Sequence, residues 1–336
     1  LLHAGRKTVA CGEADDDTPQ KRLYEIYCEW HRGNRDRATD MLVNSPEYAD
    51  EDFHFILAAA RMSAYEEDWH SSEMIYSSIV DEACVFVLCE AARVSLMEGN
   101  KDRAFRLYRK AEVEDPQSPL VLWEMINAYV KTGSKDDIVN RVLALLDSES
   151  ADLGTHIRCA EILVSESLNM QADPVIRRIL LNYPENYEAN LLMSRNETAL
   201  GNFASALNAS NAAVRAEPDE REPRFQRAKV QFAMGRPDRA MKDARFLLKK
   251  DPEDTEALIL IKDIYMAQGR DRKVMEMYDR ILELDPDNAR IILEYSEAKM
   301  QSGDLEDSLM FFRRAIIADP RPDNFVSVLR LLVGDG

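Results

Sequence analysis

The sequence predicts an all-α protein built from repeated antiparallel helix hairpins, and three observations carry that prediction. Pro184, Pro218, Pro252, Pro286 and Pro320 stand 34 residues apart, with Pro116 two steps before Pro184 and Ser150 at the skipped place. Gly99, Gly133, Gly201, Gly235, Gly269 and Gly303 keep the same step, and Ser167 stands where the series skips. Between these marks apolar residues recur at helical spacing. A proline cannot continue a helix interior and biases the residue before it away from helical geometry, so each proline ends one helix and precedes the next. In KKDPEDTEALIL, residues 249–260, Thr255 is the expected cap of the restarted helix. Such a period is the signature of a repeat architecture and governs every later reading.

Within one period the first helix carries a small residue about seven positions before the glycine, as at Ala92, Ala160, Ser194, Ala228 and Ser296. The glycine marks the turn. Five positions after it the second helix carries Ala104, Ala172, Ala206 and Ala240, and small side chains on both sides let two helices approach closely. A large residue there forces strain of roughly 1–3 kcal/mol. Further along come Tyr108, Ile176, Tyr278 and Phe312, then Ala111, Ile179, Ala213, Leu247, Ile281 and Ala315, before the proline closes the unit.

These registers resemble the tetratricopeptide repeat family, whose 34-residue pattern runs from a large apolar residue through a small one and an aromatic to Ala, aromatic, Ala and Pro. The best single copy is TEALILIKDIYMAQGRDRKVMEMYDRILELDPDN, 255–288, in which Lys262 departs from the small residue and Val274 from the alanine. Nine units are expected over 19–322, with starts near 19, 53, 85, 119, 153, 187, 221, 255 and 289. Gly33 and Ala38 fit the first; the second has Ala60 and Tyr76 but no turn glycine, and the fourth has Ile138 for alanine and no terminal proline. Residues 1–18 are expected to be the second helix of a truncated preceding repeat, and 323–336 a C-terminal capping helix. The resemblance implies a right-handed superhelical solenoid whose first helices line a concave, ligand-binding side.

The chain of 336 residues has 61 acidic and 43 basic side chains, a formal charge of −18, which repels a phosphate backbone and argues against nucleic acid. No apolar run is long enough to span a bilayer. The five cysteines, Cys11, Cys28, Cys84, Cys89 and Cys159, have no metal-ligand spacing; Cys84 and Cys89 are read as lying on one helix, pointing apart. Free buried thiols favour a reducing, cytoplasmic compartment. TVAC at 8–11 offers the alternative of lipid attachment and a periplasmic, membrane-tethered protein, without the apolar leader that alternative needs.

No catalytic constellation and no cofactor motif is found. His3, His31, His54, His70 and His156 are scattered over different units, and GRKT at 5–8 has Arg6 where a phosphate loop needs glycine. Carboxylates such as Glu294, Glu297, Asp304 and Glu306 are read as a solvated helical face. The sequons at Asn196 and Asn208 fall on helices and are assigned no role.

What remains is surface. Two registers seven apart share nearly one face of the first helices. One holds Cys89, Trp123, Ile157, Leu191, Phe225, Ile259 and Leu293; the other Leu96, Val130, Val164, Thr198, Phe232, Met266 and Met300. Polar residues lie between them, including Arg93, Asn127, Glu161, Arg195, Lys229, Asp263 and Glu297. An apolar double stripe with interspersed polar groups suits an amphipathic helix or extended peptide, or a second copy of the chain; packing between hairpins also accounts for its aliphatic members. Phe225 and Phe232 are the strongest candidate anchors. The clamp of Lys and Asn that some relatives use for a chaperone carboxylate lacks its lysine near Trp123 and Asn127, while Lys229 with Arg195 offers a place for one acidic group. The expected function is a non-catalytic scaffold or adaptor binding a protein segment. The alternatives are a regulatory or substrate-recruiting region of a larger enzyme and a membrane-tethered envelope assembly or lipid-handling protein.

Overall fold

The structure, a computed structural model, describes residues 25–26, 29, 34–43, 53–81, 83–148 and 151–319. The expected half repeat at 1–18, Gly33, Cys11, Cys28, GRKT and TVAC, Pro320 and the expected terminal helix at 323–336 lie outside the described residues. Among the described residues every regular element is helical. The chain divides into two units at residues 151 and 152.

The first unit contains α1 (Arg35–Val43), α2 (Phe53–Tyr65), α3 (Trp69–Ile79), α4 (Val85–Met97), α5 (Lys101–Glu114), α6 (Pro119–Thr132) and α7 (Lys135–Leu146). The second contains α8 (Leu153–Ser165), α9 (Asn169–Asn182), α10 (Tyr187–Ala199), α11 (Phe203–Ala216), α12 (Arg221–Ala233), α13 (Pro237–Lys250), α14 (Thr255–Ala267), α15 (Asp271–Leu284), α16 (Ala289–Gln301) and α17 (Leu305–Ala318). In both, a first helix packs on the second helix that follows it, from α2 on α3 to α6 on α7 and from α8 on α9 to α16 on α17. Each second helix then packs on the next first helix inside its unit, and first helices touch directly at α4 with α6 and along α8, α10, α12 and α14. Every hairpin therefore buries its faces against immediate neighbours, the arrangement of a repeat solenoid.

The starts and turns have a local cause. Asp152, Asn186, Asp254 and Asn288 cap α8, α10, α14 and α16 by accepting a hydrogen bond from the backbone N–H three residues on. Thr255 is not the cap of α14. It is the first helical residue, its hydroxyl donates to the Glu253 carbonyl, and the Asp254 carboxylate, one residue earlier, accepts the Ala257 N–H at 3.0 Å. Cys84 likewise sits at the cap of α4 and is exposed, whereas Cys89 lies within the helix and is buried. Burial pushes the Cys89 and Cys159 thiols up to about 12.

Inside each hairpin the chain reverses through one left-handed residue. At Gly235 φ is 68°, and Arg236 N–H donates back to the Gln231 carbonyl at 2.9 Å, closing the last turn of α12. Where no glycine is present the same geometry is imposed on Ser167 and Glu67, with φ of 59° and 62° and matching bonds from Leu168 to Leu163 and from Asp68 to Ser63.

The small residues at the helix crossings, Ala92 and Ala104, Ala160 and Ala172, Ser194 and Ala206, Ala228 and Ala240, are completely buried. Two serines at this crossing show how close the helices come: Ser72 Oγ donates to the Ala60 carbonyl at 2.8 Å and Ser308 Oγ to the Ser296 carbonyl at 2.9 Å. Tyr108, Ile176, Tyr278 and Phe312 fill the next layer, buried. The departures Ile138, Lys262 and Val274 are buried too. Around α10 to α13 the interior turns polar: Glu197 and Ser210 are buried where the later hairpin has Tyr265 and Tyr278, and the buried Asp243 accepts two hydrogen bonds from Arg227, at 2.7 and 2.6 Å.

Two predictions follow from the turns and caps. A left-handed conformation costs an L-residue about 1–2 kcal/mol, offset by the greater chain entropy that glycine loses on folding, about 0.5–1 kcal/mol. A Cβ at Gly235 would meet nothing within 4 Å, so the torsion alone decides. Urea unfolding should therefore show Ser167→Gly stabilised and Gly235→Ala destabilised, each by ~1 kcal/mol; two changes of the same sign would refute this account of the turn. At Asp254 burial pushes the carboxyl up, but the Arg221 guanidinium and the Ala257 N–H outweigh it and hold the group below its ordinary value of 3.8. Its contribution is thus present at neutral pH and lost as pH falls below that value. Asp254→Ala should cost about 2 kcal/mol at pH 7, and the gap to the parent should close in acid; a gap independent of pH would leave no role for the charge.

Candidate functional site

The first helices of the second unit are tied together by ion pairs along one edge. Arg195 on α10 reaches Glu222 on α12 at 2.8 Å. Arg221, beside it, holds both oxygens of Asp254 at 2.8 and 2.7 Å and Glu256 on α14 at 2.7 Å. Gln226 on α12 donates to Thr198 on α10 at 3.1 Å. The rungs fix the spacing of the helix faces that carry the two registers.

The register residues are not equally available. Ile157 and Leu191 are buried between helices and present almost no surface. Phe225, Phe232, Ile259 and Leu293 are half-buried, packed on the apolar cluster that runs from Ala228 to Ala315. The Phe225 ring also lies between two cations, with the Arg221 guanidinium 4.8 Å and the Lys229 ammonium 5.4 Å from its centre. Phe225 and Phe232 therefore hold the stack as well as facing solvent. Met300 is half-buried and Met266 is the open one, 51% exposed. Arg195 and Lys229 are exposed, but Arg195 is already engaged by Glu222. In the first unit Trp123 is half-buried and Asn127 exposed on α6.

Sequence reasoning passed over one constellation. A cavity of about 650 Å³ opens between α14, α15 and α16 at the crossing where Lys262 and Val274 replace the two small residues. Lys262 is only 2% exposed. Its ammonium pairs with Glu294 on α16 and, at 3.0 Å, with Asp263, and it lies 5.3 Å from the Tyr278 ring centre. Glu297, Asp271, Met266 and Met275 line the same cavity. Burial, then the nearby Glu294 carboxylate, pushes the Glu297 carboxyl above its ordinary value. Glu294 and Glu297 are thus not the solvated face that the sequence suggested. One turn of α16 separates them on the cavity wall, where Glu294 meets the buried cation, whereas Glu306 is exposed and Asp304 pairs with Lys299 at 3.2 Å. The legible signal was Lys262 itself, because a lysine at a buried small-residue position requires counter-charges within reach.

Among the described residues no group of three or more His, Cys, Asp or Glu is placed to hold a metal ion, and no helix is long and apolar enough to cross a membrane. Asn196, within one sequon, is completely buried in α10.

No protein-family model and no curated protein sequence matches the chain. Solved structures do. A tetratricopeptide repeat protein from Parabacteroides merdae superposes with a TM-score of 0.53 at 16% identity, covering 73% of this chain and 97% of its own. The human IFIT1 dimer solved with m7Gppp-AAAA superposes with a TM-score of 0.51 at 14% identity, covering 93% of this chain and 81% of its own. Identities this low carry the fold and nothing finer, and together with the 34-residue registers and the stacked hairpins they identify the chain as a protein of tetratricopeptide repeat fold.

Proposed function

We propose that the chain is a non-catalytic binding scaffold that receives a helix or extended segment of a partner protein on the first-helix face of its second unit. The observation that supports this reading is Met266, half exposed on the wall of a 650 Å³ cavity and in register with the half-buried Ile259, Leu293 and Met300. An apolar strip that is already half desolvated needs little further ordering to accept a ligand, and its binding energy comes from the remaining area, about 25 cal/mol per Å². Methionine adapts its shape to what lies against it. The corresponding face of the first unit, with Trp123 and Asn127, is read in the same way.

The mechanism is burial and shape, with no bond made or broken. Four carboxylates and a single ammonium line the cavity, and the chain carries a charge of −18, so polyanions of the kind solved with human IFIT1 are disfavoured here.

Affinity capture from a source lysate tests the proposal, comparing the parent with Met266→Ser/Met300→Ser. Serine costs about 0.5 kcal/mol in helix propensity at each position, with a further ~1 kcal/mol of lost burial at the half-buried Met300, so circular dichroism should show both proteins folded. Recovery of the captured partner should fall roughly tenfold or more with the variant. Equal recovery by the two folded proteins would move the binding surface elsewhere.

A further inference from the structure

Resting on that reading, we infer that the cavity between α14, α15 and α16 is a specificity pocket for a basic side chain, lysine or arginine, of the bound segment. The cavity provides the three things such a side chain needs. Its walls are apolar where an aliphatic stem would run, along Met266, Met275 and Val274. Its volume, about 650 Å³, is large enough to admit a lysine or arginine side chain. Its charge is unbalanced, because Asp263, Asp271, Glu294 and Glu297 meet two cations, the Lys262 ammonium and the largely exposed Arg290 guanidinium 3.9 Å from Glu294.

Lys262 satisfies part of this charge and leaves the rest. It engages Glu294 and Asp263 from beneath, at the crossing of α14 and α15. Glu297 has no hydrogen bond or ion pair among the described residues, and it stands one helical turn beyond Glu294 on the same wall. A half-buried carboxylate beside another carboxylate is destabilised until a cation reaches it. An incoming ammonium or guanidinium relieves that, while an acidic or neutral residue at the same place does not, so the pocket selects by charge complementarity. A bare metal ion fits less well, since no three of these ligands converge on one point among the described residues. A neighbouring Lys262 would repel an intruding cation if it were free, but its two counter-charges hold it down at 2% exposure.

Short random peptides displayed on phage and selected on the full chain provide the test. Selected peptides should share one Lys or Arg at a fixed offset from apolar residues. Replacing that Lys by norleucine in a synthetic peptide, or Glu297→Gln in the protein, should weaken binding roughly tenfold, and added salt should weaken the parent complex more than the variant. Glu297→Gln spares the Lys262 ion pairs, and the norleucine arm leaves the protein unchanged, so loss of fold does not confuse the result. Peptides that lose binding to Met266→Ser/Met300→Ser, yet are indifferent to both charge changes, would overturn the pocket and leave the scaffold reading standing. Peptides indifferent to all three changes, or no enrichment at all, would overturn both.

Discussion

The architecture rests on the close crossing of two helices within each hairpin. A hydroxyl donating 2.8–2.9 Å to a carbonyl of the opposite helix, as Ser72 and Ser308 do, leaves no room for a large side chain in those hairpins, whereas the hairpin of α6 and α7 takes the buried Ile138 at the same register. Crossing closely brings the next layer, Tyr108 or Tyr278 or Phe312, against the partner helix, and that layer supplies the apolar burial. The left-handed turn residue sets the phase at which the two helices meet, which is why Ser167 and Glu67 accept positive φ when no glycine is present. The strain at those two positions is small beside the packing that a shifted second helix would lose.

Lys262 and Val274 show what happens when this constraint is relaxed. A lysine in place of the small residue cannot be left uncompensated in the interior, because an unpaired buried charge costs several kcal/mol. Glu294 from the next hairpin and Asp263 from the same helix supply the compensation. Meeting it places carboxylates on two of the helices that line the cavity. A departure from the repeat pattern has thus become the most chemically individual place in the second unit.

Much of the helical register was legible from punctuation alone. Proline and glycine act through torsion and a missing N–H, which are properties of single residues and can be read without a neighbour. The buried small and aromatic positions were legible for a related reason, since a position that recurs at one period meets the same environment in each unit. The cap was misplaced by one residue because Asp254 and Thr255 are both competent, and only the geometry shows which oxygen reaches Ala257. The candidate surface was less legible. The register that places Ile157 and Phe225 at one position does not say that one is buried and the other half open, as that depends on the neighbouring helix. Glu294 looked like solvated charge because its partner lies in a different hairpin, 32 residues away, and Glu297 because the cavity wall it stands on is formed by three helices distant in sequence.

The interior beneath the proposed surface changes character along the second unit. From α12 to α17 one apolar cluster runs beneath Phe232, Ile259 and Leu293, so those half-open side chains stand on a continuous packed floor. Earlier, around α10 and α11, the floor is interrupted by Glu197, Asn196 and Ser210, and both amide atoms of Asn196 are without a hydrogen-bond partner. Polar interiors bury less area and pay more for every unsatisfied group, so that hairpin contributes less stability to its neighbours. In a stack where each unit supports only the next, binding energy is conserved best where the floor does not yield. The ion-pair edge from Arg195 through Glu222 and Arg221 to Glu256 runs across both regions, adding charge contacts to the helix packing that joins the two hairpins.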